Sequence, residues 1–242
     1  MLLLAVDTSG RNGSIALARM TPGQSDVEIV EIVPLAGGAF SAQLVQQIAA
    51  LLAKHEYSKT DLAAFAVVSG PGSFTGLRVG LAAIKALAEA LHKPIVAISL
   101  LEAIACGSQA LGATGQRVLA VLDAGRGDFY VGDYEVGLQA VRMHSERLLS
   151  REEILAEAAL FDSKIRAVVT PDPGLAGTVG DMVRAGGLAS GIRVETIDYP
   201  NSGLIARLGW EHLQRGQTVR PEDLEANYIR HSDAEIFSKP AP

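Results

Sequence analysis

The sequence predicts an α/β protein built in two halves, each a mixed sheet with flanking helices. Three observations predict it. The chain opens as strand, turn, strand, and not as a strand followed by a helix. A buried strand then runs through a glycine-rich turn into a helix and on to another buried strand, the spacing of a crossover within one sheet. The layout of the opening also recurs in mid-chain, at 117–136. The 242 residues suffice for two lobes with a core each. A content of 48% hydrophobic against 20% charged residues is that of a packed protein, not a disordered one.

Residues 2–6 are a continuous apolar run. Asn12-Gly13 signals a hairpin because both residues tolerate positive φ, and 14–19 resumes the strand. Residues 27–35 add a third strand. Residues 41–55 place Leu44, Val45, Ile48, Leu51 and Leu52 at helical spacing, with Ser41 as cap and the uncharged Gln43, Gln46 and Gln47 among the polar positions. A turn at 58–61 leads to a buried strand at 63–68. The stretch Ser69-Gly70-Pro71-Gly72-Ser73-Phe74-Thr75-Gly76-Leu77-Arg78 then opens a helix reaching to His92, where Lys93-Pro94 stops it, and 95–98 is the next strand. A helix begins at 101–106, followed by small residues at 107–115. The second hairpin is 117–123 and 128–136 around Ala124-Gly125-Arg126-Gly127. A helix follows at 150–159, with Glu152 and Glu153 in the first turn, where the helix dipole favours them. A strand at 167–170 and helices at 178–186 and 203–215 complete the order, and the chain frays from His231.

This order divides into a first lobe, 1–102, and a second, 103–242, whose last helix is placed to pack back on the first. The duplicated layout is that of the actin-like ATPase (ASKHA) fold, with a cleft between the lobes.

Composition excludes several classes of function. Lys plus Arg number 21 against 27 Asp plus Glu, a net charge of −6, so the chain lacks the positive surplus needed to grip a phosphate backbone alone. The single cysteine, Cys106, permits neither an internal disulfide nor a cysteine zinc site, and suits a reducing cytoplasmic setting. The apolar start is too short for a signal peptide, and the charge-free run 32–53, broken by Pro34, Gly37 and Gly38, is no membrane span.

The glycine turn is neither a Walker loop, since no Lys-Ser or Lys-Thr follows, nor G-x-G-x-x-G, since its third glycine falls one residue late. As a bare pattern it serves either as a structural turn or as a ligand-facing one. Gly70 and Gly72 would then let backbone approach a phosphate, with Asp7, and Asp123 in the second half, each either a turn residue or a holder of a magnesium-bound water. His55, His92, His144, His212 and His231 show no metal-ligand spacing. No catalytic or metal constellation is named.

The helix after the glycine turn confines Arg78, Lys85, Glu89 and His92 to one narrow stripe and is otherwise apolar or small. It has more apolar surface than one sheet covers. The charge-free helix at 41–53 would cover part of it, and another protein would cover more. Leu44, Ile48, Leu51, Leu77, Gly80, Leu81 and Ile84 are the candidates for that interface or its support. On this reading Gly80→Arg would block a partner without unfolding the chain.

From Ser69 through Arg78-Val79-Gly80 the sequence resembles the TsaB family, formerly called YeaZ. Asp7-Thr8-Ser9 and Asp123-Ala-Gly-Arg-Gly-Asp-Phe-Tyr130 are similar to it as well, and Ala226-Asn227-Tyr228-Ile229-Arg230 more loosely. The resemblance implies the actin-like fold and a non-catalytic subunit that binds and positions the related TsaD. With TsaE, the pair would make tRNA threonylcarbamoyladenosine next to the anticodon. It implies pairing through helices of the first lobes, a homodimer through the same surface when alone, and contact with tRNA only through the complex. No cofactor is required of the chain itself, and ATP or ADP with magnesium would sit in a composite site shared with the partner. The catalytic relative carries a His-x-x-x-His metal pair where this chain reads Leu100 to Ile104, and aliphatic carbons cannot ligate a metal. Departures are Phe40-Ser41-Ala42-Gln43, where the family commonly has His-Ser-Gln, and Thr170-Pro171-Asp172-Pro173-Gly174 in place of a Gly-Asp-Gly-type turn. The rival from another class is a free-standing ATPase or peptidase of the same fold.

Overall fold

A computed structural model describes residues 1–21, 27–108, 116–136, 140–154, 165–184 and 192–230. The chain divides into two compact units, the first of Met1–Ala103 and Tyr199–Ala226, the second of Ile104–Asp198 and Asn227–Pro242.

The first unit is a sheet of β1 (Leu2–Asp7), β2 (Gly13–Met20), β3 (Val27–Leu35), β4 (Leu62–Gly70) and β5 (Ile95–Ser99), in the order β3-β2-β1-β4-β5. β1 and β2 pair antiparallel, as the hairpin signal requires, and β1, β4 and β5 run parallel, as the crossover requires. Every residue of β1 is buried, which a central strand covered by helices demands. The helix α1 (Phe40–Lys54) packs beside α2 (Phe74–Leu91). Ser73 caps α2 by accepting from the Gly76 amide, and His92 ends it in the left-handed conformation. The helix α3 (Leu100–Cys106) follows β5 directly. The last helix of this unit, Ser202–Gln214, lies against all five strands.

The second unit repeats the plan. Its strands are β6 (Gln116–Gly125), β7 (Asp128–Val136), β8 (Ala140–Arg142), β9 (Arg147–Ser150), β10 (Ile165–Thr170) and β11 (Arg193–Thr196), in the order β11-β10-β6-β7-β8 with β9 also on β7. β6 and β7 are the antiparallel hairpin, and β6, β10 and β11 run parallel, the same arrangement as β1, β2, β4 and β5. Its core gathers Leu119, Val121, Val131, Leu149, Ile154, Val168, Leu175, Val179 and Ile192. The fold is therefore actin-like in both units.

Several elements differ from the sequence reading. The helix expected at 178–186 is α4 (Pro173–Arg184), and the helix Ser202–Gln214 of the first unit is α5. α4 starts earlier because Pro173 suits a first helical position, while the Asp172 carboxylate accepts from the amides of Gly174 at 2.8 Å and Leu175 at 3.1 Å. β8, β9 and β11 were not foreseen. Ser150 ends β9 and also opens a helical turn at 151–154, where its hydroxyl and the Glu153 carboxylate each accept from the other's amide. The rest of the helix expected over 150–159, the small residues 109–115 and the tail from His231 lie outside the described residues.

Candidate functional site

The glycine turn of the first unit closes on its own chain. The carbonyl of Ser9 accepts the Ser73 amide at 2.7 Å, and the Thr8 hydroxyl donates to the Gly76 carbonyl at 2.7 Å. A Cβ on Gly72 would stand 2.6 Å from the Ser9 carbonyl oxygen, one on Gly76 2.0 Å from the Thr8 carbonyl oxygen, and one on Gly80 2.4 Å from the Thr8 hydroxyl. Glycines at 72, 76 and 80 are thus required by the approach of α2 to the segment after β1. Phe40, at the start of α1, lays its ring against Gly13 on the far side of the same segment.

Asp7 lies at the centre of this packing and is sealed from water. One carboxylate oxygen takes both the amide of Ser9, at 2.8 Å, and its hydroxyl, at 2.6 Å. Burial pushes the Asp7 carboxyl up to about 6, against the opposing pull of those two donors. The Tyr199 hydroxyl sits 3.4 Å from that of Ser9, and burial together with the Asp7 charge holds the phenol well above its usual range.

These residues do not fit a nucleotide-bound magnesium within this unit. A carboxylate that positions metal-bound water must face solvent and leave an oxygen to accept from it. Asp7 is enclosed, and a Cβ on Gly72, Gly76 or Gly80 would point at Ser9 or Thr8, while Gly76 also lines, with Arg11, Ser41, Ser73 and Thr75, a cavity of about 320 Å³ that Asp7 does not reach. Gly70, which takes φ 130 before a cis bond to Pro71, belongs to the same inward-turned loop. Asp123 belongs to the second unit, is exposed, and accepts from the Gly125 amide at 2.8 Å, the role of a turn residue. Gly125, Arg126 and Gly127 all take positive φ in that turn. The late Asn227 and Arg230, whose likeness to a motif was the loosest, are clasped there: Arg230 donates to Asp128 and to the Gly125 carbonyl, and Asn227 to Glu146.

The seven residues named as interface candidates require a correction. Leu44, Ile48, Leu51, Leu77, Gly80, Leu81 and Ile84 are all buried by the first unit itself. They can support a docking face from beneath but cannot form it, and Gly80→Arg would wreck the packing on Thr8. The outward faces are the complementary ones. On α1 these are Ala42, Val45, Gln46, Ala49 and Ala53, with Val45 at 58% exposure, and on α2 they are Phe74, Arg78, Ala82, Ala86 and Glu89. The exposed Ala82 and Ala86 agree with the expectation that the helix after the glycine turn carries apolar residues beyond its buried face. Of the two roles the sequence left open for the seven residues, the interface or its support, their burial leaves the second.

Leu100 and Ile104 have no exposed surface. His55, His144 and His212 each face a carboxylate, Glu31, Asp133 and Glu102 respectively. Among the described residues no group of histidines, cysteines and carboxylates could hold a metal ion, and no helix is long and apolar enough to cross a membrane. The sequence reading gave no role to Thr8, Ser9 or Tyr199. Thr8 and Ser9 stood beside Asp7 in a quoted motif, whereas nothing local marked Tyr199, 190 residues from Ser9.

Comparison with known proteins gives a consistent picture. The family model of the tRNA N6-adenosine threonylcarbamoyltransferase TsaD matches residues 32–141. The chain is 27% identical to the tRNA threonylcarbamoyladenosine biosynthesis protein TsaB of Escherichia coli over 97% of this chain and 96% of that one. It is 33% identical to the Bacillus subtilis protein of the same name, a match that spans 56% of each chain. Among solved structures, YeaZ from Pseudomonas aeruginosa superposes with a TM-score of 0.72 at 23% identity, covering 94% of this chain and 99% of that one, which is a likeness of fold.

Proposed function

We propose that the chain is a member of the TsaB family and an accessory subunit in the making of tRNA threonylcarbamoyladenosine, one that binds and positions a TsaD homologue and does not itself carry out the transfer; the likeness to proteins of that name over 97% and 56% of the chain supports the reading. The observation that carries this reading is the exposed, almost uncharged surface made by the outer faces of α1 and α2. Both helices lie inside the span that resembles TsaD itself. Two chains of common descent can pair equivalent faces, as identical subunits do across a two-fold axis. The absence of a catalytic role is supported by Leu100 and Ile104, which fill with hydrocarbon the positions where the resemblance puts two imidazoles, and by the enclosure of Asp7. On this reading any nucleotide chemistry lies with the partner, TsaE joins the assembly, and tRNA is held by the complex, since this chain carries a net charge of −6.

Val45→Asp tests it. The side chain is 58% exposed, so the fold should be untouched. A carboxylate buried in the centre of an apolar interface should weaken binding to the TsaD homologue of the same cell by a hundredfold or so. Threonylcarbamoyladenosine formation in a reconstituted mixture should fall with it. Undiminished binding would remove the docking face. ATP turnover by the purified chain, lost in Asp7→Asn, would favour a free-standing ATPase.

A further inference from the structure

We propose that the cavity between the first turns of α1 and α2 binds the phosphate group of a small organic phosphate ester, without a metal ion and without residues of any other chain. The glycine turn faces two ways. Its inner side packs on Thr8 and Ser9, and its outer side, at Ser73 and Thr75, lines this cavity. Binding there does not depend on the docking face.

The cavity measures about 320 Å³ and belongs wholly to the first unit. That is the lower end of the size that holds small ligands. Its polar lining is Arg11, Ser41, Ser73 and Thr75, and its apolar lining includes Phe40 and Val79. Arg11 supplies a permanent positive charge and a fork of N–H donors, and it forms no ion pair with any of the described residues. The Ser73 hydroxyl accepts from the Gly76 amide and keeps its own proton to donate. Ser41 and Thr75 are exposed. Among the described residues no carboxylate lines the cavity, and neither helix has an acidic residue in its first turn.

A lining of one cation and three hydroxyls, with no anion, attracts an oxyanion and disfavours a metal ion. A phosphate ester suits it better than a carboxylate does. It offers three terminal oxygens and a charge of about −1.5 to −2 near neutral pH, which one guanidinium and several hydroxyls can meet together. Phe40 and Val79 give the organic part of the ester an apolar wall that inorganic phosphate cannot use. The frame of the cavity is set before any ligand arrives. A Cβ on Gly37 would stand 1.9 Å from the Arg11 carbonyl oxygen, so the Arg11 backbone is pressed against the turn that precedes α1. One on Gly10 would stand 3.0 Å from the Tyr199 hydroxyl, and one on Gly13 2.9 Å from the Phe40 ring. Walls held in this way lose little freedom on binding.

The test uses the full chain alone, with phenyl phosphate as the probe and inorganic phosphate and phenol beside it. Affinity is read by calorimetry, and the place of binding by the NMR shifts of backbone amides. Phenyl phosphate should bind in the millimolar range or tighter and move the amides of Arg11, Ser41 and Thr75. Inorganic phosphate should bind about tenfold more weakly, and phenol should not bind. Arg11→Gln removes the charge from an exposed side chain, which leaves the fold alone, and should weaken phenyl phosphate about tenfold or more. Thr75→Ala should weaken it about threefold. Added magnesium should not tighten binding. No saturable binding, shifts confined to other parts of the chain, or wild-type affinity in Arg11→Gln would each refute the site. Equal affinity for inorganic phosphate and phenyl phosphate would refute the ester as its ligand, and binding that requires magnesium would refute its independence of metal.

Discussion

In the first unit, the strand leading into the hairpin ends on a carboxylate shut away from water, whereas in the second the corresponding strand ends on one that stands in it. Asp7 closes β1 inside a lattice of Thr8, Ser9, Gly72, Gly76 and Tyr199, while Asp123 closes β6 on an open turn and bonds only to the amide two residues on. The strand orders around the two are equivalent. The crossover helices differ in the same sense. α2 is pressed through three glycines against the segment after β1, but α4 stands clear at Gly177, where an added Cβ would meet nothing within 4 Å. A duplicated topology thus preserves the sheet and lets the strand ends diverge. In one unit they became packing material, and in the other they remained turns.

The sharpest way to break this comparison is to make the same change in both helices. Gly76→Ala drives a methyl to 2.0 Å from the Thr8 carbonyl oxygen, which is backbone and cannot swing aside. We expect a loss of about 3 kcal/mol or more in the stability of the first unit, read by chemical denaturation. Gly177→Ala, exposed and mid-helix in α4, should instead gain about 0.5–1 kcal/mol in the second unit. Equal effects would show that the glycines of α2 are not held by close approach.

This pair of glycines also marks how far the sequence could be read. The hairpins, the crossover and the paired halves were legible because they follow from period and from turn residues that act over four or five positions. The glycines at 70, 72 and 76 were legible as a demand for close approach. Whether the approaching group was a phosphate or the chain's own backbone depended on Thr8 and Ser9, 68 and 64 residues away from Gly76 and Ser73. The inward and outward faces of α1 and α2 were left undecided for a related reason. Alanine fills the exposed side of both helices, so the apolar character that marks a core face elsewhere is nearly the same all round. β8, β9 and β11 were missed because strands of three or four residues leave no alternation to count.

The two carboxylates sharpen the comparison through pH. A folded-state value of about 6 for Asp7, against an ordinary value of 3.8, means that the folded unit holds a proton the unfolded chain gives up, a difference of about 3 kcal/mol. That stabilisation is complete below 3.8 and is lost as the pH rises through 6. Asp7→Asn keeps an oxygen for the two donors of Ser9 and removes the buried charge. Its amide is left without a partner, which returns about 1–2 kcal/mol. The variant should therefore be more stable than wild type by about 1–2 kcal/mol at pH 7.5, and the advantage should vanish or reverse near pH 4. Asp123→Asn, exposed and able to cap Gly125 as before, should change stability by less than about 0.5 kcal/mol at either pH. A first unit in which Asp7→Asn loses stability at pH 7.5 would show that Asp7 is not enclosed.

The smallest contrast concerns the helices that carry the two units' own caps. The Asn201 side chain accepts from the amides of Gly203 at 2.9 Å and Leu204 at 3.3 Å to open α5, as Asp172 does for α4. Alanine at either site leaves two amides to water and should cost about 1 kcal/mol. The costs should diverge with salt. The charge of Asp172 also meets the positive end of α4, and that part is screened, whereas the neutral Asn201 has no such part to lose. Asp172→Ala should therefore cost less in 1 M salt than in dilute buffer, and Asn201→Ala the same in both. A common salt response would mean that the two caps hold by hydrogen bonds alone. In that case the difference between the units would lie wholly at the ends of β1 and β6.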